Sequence, residues 1–128
     1  MRFFDTTFVL DSLSADRPVV ERARAPQESQ ELSATAAPCI PEVIRGAKRA
    51  EEPGGAAAKA LIGPLEVVPL TTESAYRAVP LAAAAQDRGG EVQLIDCWIA
   101  GVLTESVGIL LSRDTDFSRI PGLLFESY

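Results

Sequence analysis

Acidic residues stand at the points in this sequence where chemistry could sit. Asp5 follows Phe3-Phe4, Glu42 follows Pro41, Asp96 falls inside the apolar run around Ile95 and Trp98, and Asp114 and Asp116 come shortly after Leu111. Carboxylates serve as general acids and bases, and as ligands for hard divalent cations. Oxygen-only donor sets suit Mg²⁺ or Mn²⁺, which hold a phosphodiester oxygen, lower the pKa of a water and stabilise a leaving oxygen. The chain contains no histidine and only two cysteines, Cys39 and Cys97. A histidine-based triad, a two-histidine ribonuclease pair and a four-cysteine or mixed Cys/His zinc site are therefore excluded. Four acids brought together would repel, raise some of their pKa values and strain the fold unless a cation neutralised them.

The scaffold for such a site must come from 128 residues, of which 47% are hydrophobic. That length supports one compact domain over residues 1–128 with a core of its own and no need for a staple. The 18 acidic and 12 basic residues give a net charge of -6, which disfavours general charge-driven binding to a polyanion. RNA remains possible as a substrate, because a few local arginines suffice to position a phosphate. In the opening MRFFDTTFVLDSL, Arg2, Asp5 and Asp11 interrupt the apolar residues, so it does not read as a secretory leader. No stretch reaches the ~18 uncharged apolar residues of a membrane span. Two widely separated cysteines without a leader predict reduced thiols in a cytoplasmic protein.

The elements follow from pattern and punctuation. Phe3-Phe4 predicts a short strand, with Asp5, Thr6 and Thr7 offering caps to a helix through Leu13. A second helix is expected over Val19 to Ala25, and a weak strand over Leu32 to Ala36. Pro38 and Pro41 fit together only in a first helical turn, which predicts a helix from Cys39 to Ala50. Ala56 to Ile62 reads as a short helix and Leu65 to Leu70 as a strand. Thr71 or Thr72 opens a helix to about Arg88, in which Pro80 predicts a kink or a break into two. From Val92 to Ser106 the apolar positions Leu94, Ile95, Trp98, Ile99, Val102 and Leu103 share one helical face. Val107 to Leu111 reads as a buried strand, Ser112 to Phe117 as a turn, and Leu123 to Phe125 as a last edge strand. Strands alternating with helices predict a three-layer α/β/α fold around a mostly parallel sheet.

Open parallel sheets bind ligands beyond the carboxyl ends of their strands. Asp5 and Asp114 should both emerge at that edge, with Asp116 close behind, although each alone also suits a helix N-cap. Asp96 lies at the border of its helix's apolar stripe, on a wheel of about 100° per residue, where a solvated charge gains nothing. It needs a partner, whether in a boundary salt bridge, a cap or a site. Glu42 points nearly opposite Ile40, Val43, Ile44 and Ala47, and by pattern alone reads as a surface residue.

Four segments in order carry a resemblance: Phe4-Asp5-Thr6-Thr7-Phe8-Val9-Leu10-Asp11, Pro41-Glu42-Val43-Ile44-Arg45-Gly46-Ala47, Ile95-Asp96-Cys97-Trp98-Ile99-Ala100 and Leu111-Ser112-Arg113-Asp114-Thr115-Asp116-Phe117. Together with the tail through Leu123, they resemble PIN-domain ribonucleases of the VapC toxin type. The resemblance implies a PIN-like fold and an endoribonuclease that needs Mg²⁺ or Mn²⁺. It also implies a homodimer held inactive by a VapB-like antitoxin lying in the active-site groove. Carried over, Asp5, Glu42, Asp96 and Asp114 form the acidic cluster, with Asp116 as a variable further metal ligand. Thr6 or Ser112 would hold carboxylates or a water, and Arg113 would bind phosphate. A groove-lining role overrides the surface reading of Glu42. Pro38, Pro41 and Trp98 depart from the family pattern near the groove.

Two other readings stay open beside this one. A phosphoacceptor receiver-like domain also gathers acids around Mg²⁺ but wants an acidic pair after its first strand, whereas Thr6 follows Asp5, and a late lysine, whereas the only lysines are Lys48 and Lys59. A catalytically silent module that dimerises or binds a basic partner peptide would use the same acids to hold arginines. Simpler roles suit the remaining features: Cys97 as a buried thiol, Trp98 as core packing, and Arg45, Lys48 and Arg49 as a solvated helix face.

Overall fold

Strand β1, Arg2–Phe4, lies at the centre of the sheet, and its two phenylalanines divide the molecule between them. A computed structural model of the chain describes residues 1–14, 19, 21, 31–50 and 54–128. Four further strands, β2 (Ser33–Ala36), β3 (Glu66–Val68), β4 (Ile109–Leu111) and β5 (Phe125–Glu126), complete a sheet in the order β3-β2-β1-β4-β5. Every pairing is parallel, with Phe3 opposite Ala34 on one side and Leu110 on the other. Successive side chains of a strand point to opposite faces. Phe3 and Leu110 accordingly join one buried cluster and Phe4 and Leu111 the other.

Among the described residues, five helices cover the two faces. On the Phe4 side lie α1 (Thr6–Leu13), α2 (Cys39–Ala50) and α3 (Gly54–Ile62), which contribute Phe8, Val9, Val43, Ala47 and Ala58 to the core. On the Phe3 side lie α4 (Thr72–Asp87) and α5 (Leu94–Glu105), with Ala78, Ala85, Ile99, Val102 and Leu103. The result is the three-layer α/β/α arrangement that the alternation of elements predicts. Helix α2 starts as its prolines require: the Ile40 amide donates to the Ala37 carbonyl at 3.2 Å, and Pro41 sits in the first turn, where no amide is missed. Helix α4 opens with a capping box, Thr71 Oγ1 accepting the Ser74 amide at 3.0 Å while Ser74 Oγ accepts the Thr71 amide at 2.7 Å.

Several boundaries differ from the sequence reading. Of the two outcomes expected at Pro80, a kink or a break, the break does not occur: helix α4 runs through it as one element. Its packing against α5 holds both halves: a Cβ at Gly101 would run into the Ser74 carbonyl, so the two helices touch at backbone distance. Helix α5 begins at Leu94, not Val92, and its buried face is turned away from the exposed Leu94 toward the small residues Cys97, Ala100 and Gly101, with Ile95 and Trp98 only partly buried. Strand β4 begins at Ile109, leaving Val107 in solvent. The last strand is shifted from Leu123–Phe125 to Phe125–Glu126, because the Leu124 and Glu126 carbonyls accept the Leu110 and Ser112 amides at 2.8 and 3.2 Å. Strand β3 keeps only three residues of the expected Leu65–Leu70 run, and α3 gains Gly54 and Gly55 ahead of Ala56. The helix expected over Val19 to Ala25 lies outside the described residues, apart from Val19 and Glu21. No helix among the described residues is long and apolar enough to cross a membrane.

Candidate functional site

The carboxyl end of β1 delivers Asp5 directly to the N-cap of α1. Its carboxylate accepts the Phe8 amide at 2.8 Å, so the capping role is real. It also takes the Thr7 hydroxyl, 2.9 and 2.8 Å from its two oxygens, and a short hydrogen bond from Ser112 Oγ just past β4. An ionised carboxylate offers about four acceptor positions, so three donors fix its orientation and leave it one. Burial raises the Asp5 pKa, while the bonds from Ser112, Phe8 and Thr7 pull the other way.

Ser112 Oγ also accepts the Asp114 amide at 2.9 Å, which ties the turn after β4 to Asp5. Asp114 caps the 3-10 turn Thr115–Arg119 by accepting the Asp116 amide at 2.9 Å. From the first turn of α2, Glu42 receives the Thr6 hydroxyl at 2.8 Å. From the first turn of α5 comes Asp96, 8% exposed, whose carboxylate has no hydrogen-bond donor or cationic side chain among the described residues. Burial pushes its pKa up to about 7, with Asp114, Glu42, Asp116 and Asp5 adding to the rise in that order. Three of the four acids thus have donors and the fourth has only neighbours of its own sign.

These four acids meet in a cleft of about 130 Å³ lined by Asp5, Thr6, Thr7, Glu42, Gln93, Asp96, Ile99, Asp114 and Phe117. It opens at the carboxyl edge of the sheet, where β1 lies between β2 and β4 and the strand order reverses. Asp116 and Arg113 are not in its wall. Asp116 pairs with Arg119 at 2.7 Å, and Arg113 pairs with Asp11 of α1 at 3.1 Å. Asp11 also accepts the Tyr128 hydroxyl at 2.8 Å, and the Tyr128 ring meets Phe8 edge-on. Pro38, Pro41 and Trp98 stay out of the wall as well, and Trp98 packs partly buried against the core. Cys97 and Cys39 are buried free thiols, with Cys39 driven up to about 12 by burial.

The sequence reading named Thr7 only as a helix cap and did not single out Gln93. A hydroxyl two residues beyond a capping aspartate was the available signal for Thr7, and a polar residue three positions ahead of a buried acid was the signal for Gln93. As the side chains stand, no three acidic or sulfur side chains among the described residues are already gathered into a metal-ligand set. The donor chemistry nevertheless fits a hard cation: the atoms of the wall able to ligate one are carboxylate, hydroxyl and carboxamide oxygens, no basic side chain lines it, and Asp96 is left without a counter-charge.

The profile of the PIN domain matches residues 2–123. The chain belongs to the PIN-domain family. Its fold is similar to solved members of toxin–antitoxin systems. A VapBC complex from Rickettsia felis, bound to a promoter DNA fragment, superposes with a TM-score of 0.86 at 14% identity, covering 99% of this chain and 98% of that one. A toxin–antitoxin complex from Klebsiella pneumoniae gives 0.76 at 24% identity, with 97% and 96% covered. VapC20 of Mycobacterium tuberculosis, a toxin that cleaves the sarcin-ricin loop, gives 0.69 at 19% identity, with 92% and 93% covered. No curated protein matches the chain by sequence. In this PIN domain, then, the acidic cleft sits on a fold shared over 92–99% of its length with proteins whose sequences differ at most positions.

Proposed function

We propose that this PIN domain is a metal-dependent endoribonuclease, the toxin of a toxin–antitoxin pair, acting in the cytoplasm as a homodimer with a VapB-like antitoxin as its inhibitor. The observation that carries the reading is the convergence of Asp5, Glu42, Asp96 and Asp114, from four distant segments, on one cleft without a basic wall residue. Asp5, Asp96 and Asp114 would hold Mg²⁺ or Mn²⁺, and when bound such an ion supplies charge neutralisation at the phosphate and acidifies a water. Asp116, already paired with Arg119, would contribute its charge from behind the wall.

The chain's own groups do the positioning. Ser112 and Thr7 keep the Asp5 carboxylate turned to the cleft, and Thr6 holds Glu42 where it can orient the attacking water. Hydrolysis adds the water oxygen to phosphorus and breaks one ester P–O bond, and the leaving oxygen takes up a proton. Arg113, with most of its donors in solvent beside Asp11, would receive a phosphate of the RNA strand. An antitoxin would block the cleft by laying arginines on the same carboxylates.

A second reading, a catalytically silent partner-binding module, draws on a different feature. An apolar groove of about 440 Å³, lined by Phe4, Phe8, Val9, Leu61 and Leu65 among others, could seat a partner segment without any chemistry. Incubating the purified protein with single-stranded and structured RNAs in Mg²⁺ or Mn²⁺ separates the two. Cleavage by wild type, abolished by chelator and lowered at least a hundredfold by Asp96→Asn, is the expected result. A folded wild type that cuts no more than Asp96→Asn would leave the silent module as the better account.

A further inference from the structure

An RNA strand entering this cleft meets oxygens that only accept. The four carboxylates have no protons to give when ionised, Ile99 and Phe117 are apolar, and the two threonine hydroxyls are spent, Thr6 on Glu42 and Thr7 on Asp5. One wall residue remains with donors to offer. Gln93 occupies the N-cap position of α5 yet makes no side-chain capping bond, is exposed, and has no hydrogen bond from its carboxamide among the described residues. Its backbone is fixed all the same, because its carbonyl accepts the Asp96 and Cys97 amides at 3.1 and 3.2 Å. The residue therefore presents an uncommitted amide from a rigid position one helical turn before Asp96.

A carboxamide carries a donor and an acceptor side by side, the complement of a nucleobase edge, whereas a phosphate has only acceptors. Single-stranded RNA exposes those edges, and base-specific reading of RNA rests on hydrogen bonds to them. We infer that Gln93 is a specificity-determining residue that hydrogen-bonds the base of the nucleotide next to the scissile phosphate. The inference rests on the ribonuclease reading and extends it: the acids cut, and Gln93 selects where.

Because Gln93 caps nothing with its side chain, Gln93→Ala should fold and keep its response to Mg²⁺. The test uses single-stranded RNA oligonucleotides that differ only in the base on either side of the cleavage point. Wild type is expected to favour one base at one of these positions. Gln93→Ala should then lose roughly tenfold in kcat/KM on the favoured base alone, levelling the preference. An unchanged preference, or an equal loss on all four bases, overturns the inference. A parallel measurement keeps it separable from the ribonuclease reading: fluorescence anisotropy of the same RNAs with Asp96→Asn, alone and combined with Gln93→Ala. If wild type cuts nothing, the ribonuclease reading fails. Base-dependent binding that disappears with Gln93→Ala would still support the contact, and RNA binding that is absent or indifferent to the base would overturn it.

Discussion

At Asp5 an amide and two hydroxyls offset the cost of burying a carboxylate, and at Asp96 nothing does. The two acids differ accordingly in what their removal should do. Replacing Asp96 by Asn deletes an uncompensated charge while keeping the shape, so the metal-free variant should be more stable than wild type at pH 8. The gain is on the order of 1–3 kcal/mol, or roughly 5 °C in Tm. The sign follows from linkage. Asp96 is held at about 7 in the fold, against the 3.8 of a free aspartate, so the folded protein binds the proton more tightly. The penalty is absent below about pH 4, grows between about 4 and 7, and is complete above. Thermal melts in EDTA at pH 4.5 and pH 8 should show a much larger advantage of the variant at the higher pH. An equal advantage at both would mean that packing, and not charge, is responsible. Ser112 and Thr7 belong to the opposite class, since each stabilises the ionised form of Asp5.

The contact between α4 and α5 depends on Gly101, where any side chain would push against the Ser74 carbonyl. Backbone cannot step aside as a flexible side chain can, so Gly101→Val should cost about 2–3 kcal/mol, read as a lower urea midpoint. Gly46→Ala meets the movable end of Leu10 at 2.7 Å and should cost less. Gly101→Val stability equal to wild type would show that the helices slide apart freely. The same pair of helices explains what sequence could and could not reveal. Helix α2 was legible to within a residue because two prolines admit only one start. Sequence left open whether α4 would break at Pro80, since the packing that offsets the lost amide bond comes from a partner about twenty residues away. Strand β5 starts two residues later than the sequence reading put it, because in a run as apolar as Leu123, Leu124 and Phe125, only the pairing with β4 decides which backbone groups bond.

For the molecule as a whole, four acids facing one small cleft in a chain of net charge -6 make the site a store of repulsion. Millimolar Mg²⁺ or Mn²⁺ should relieve it. Tm is expected to rise by several degrees at pH 8 and much less at pH 5, where Asp96 carries its proton. A rise of the same size at both values would place binding away from these carboxylates. The acids themselves could be read from sequence, Asp5 and Asp114 from strand ends and Glu42 only through family likeness. The diversion of Asp116 and Arg113 to Arg119 and Asp11 could not, because it depends on side chains that meet only after folding. The parallel topology has one more consequence, and it concerns time. The central strand, residues 2–4, waits for its β4 neighbour until residues 109–111 have been made. The hydroxyl of Ser112 and the carboxylate of Asp114 arrive only then. Everything between β1 and β4 is therefore synthesised, at about 5–20 residues per second, without an assembled cleft. A ribosome producing this domain faces no assembled acidic cleft until residues 109–114 have emerged.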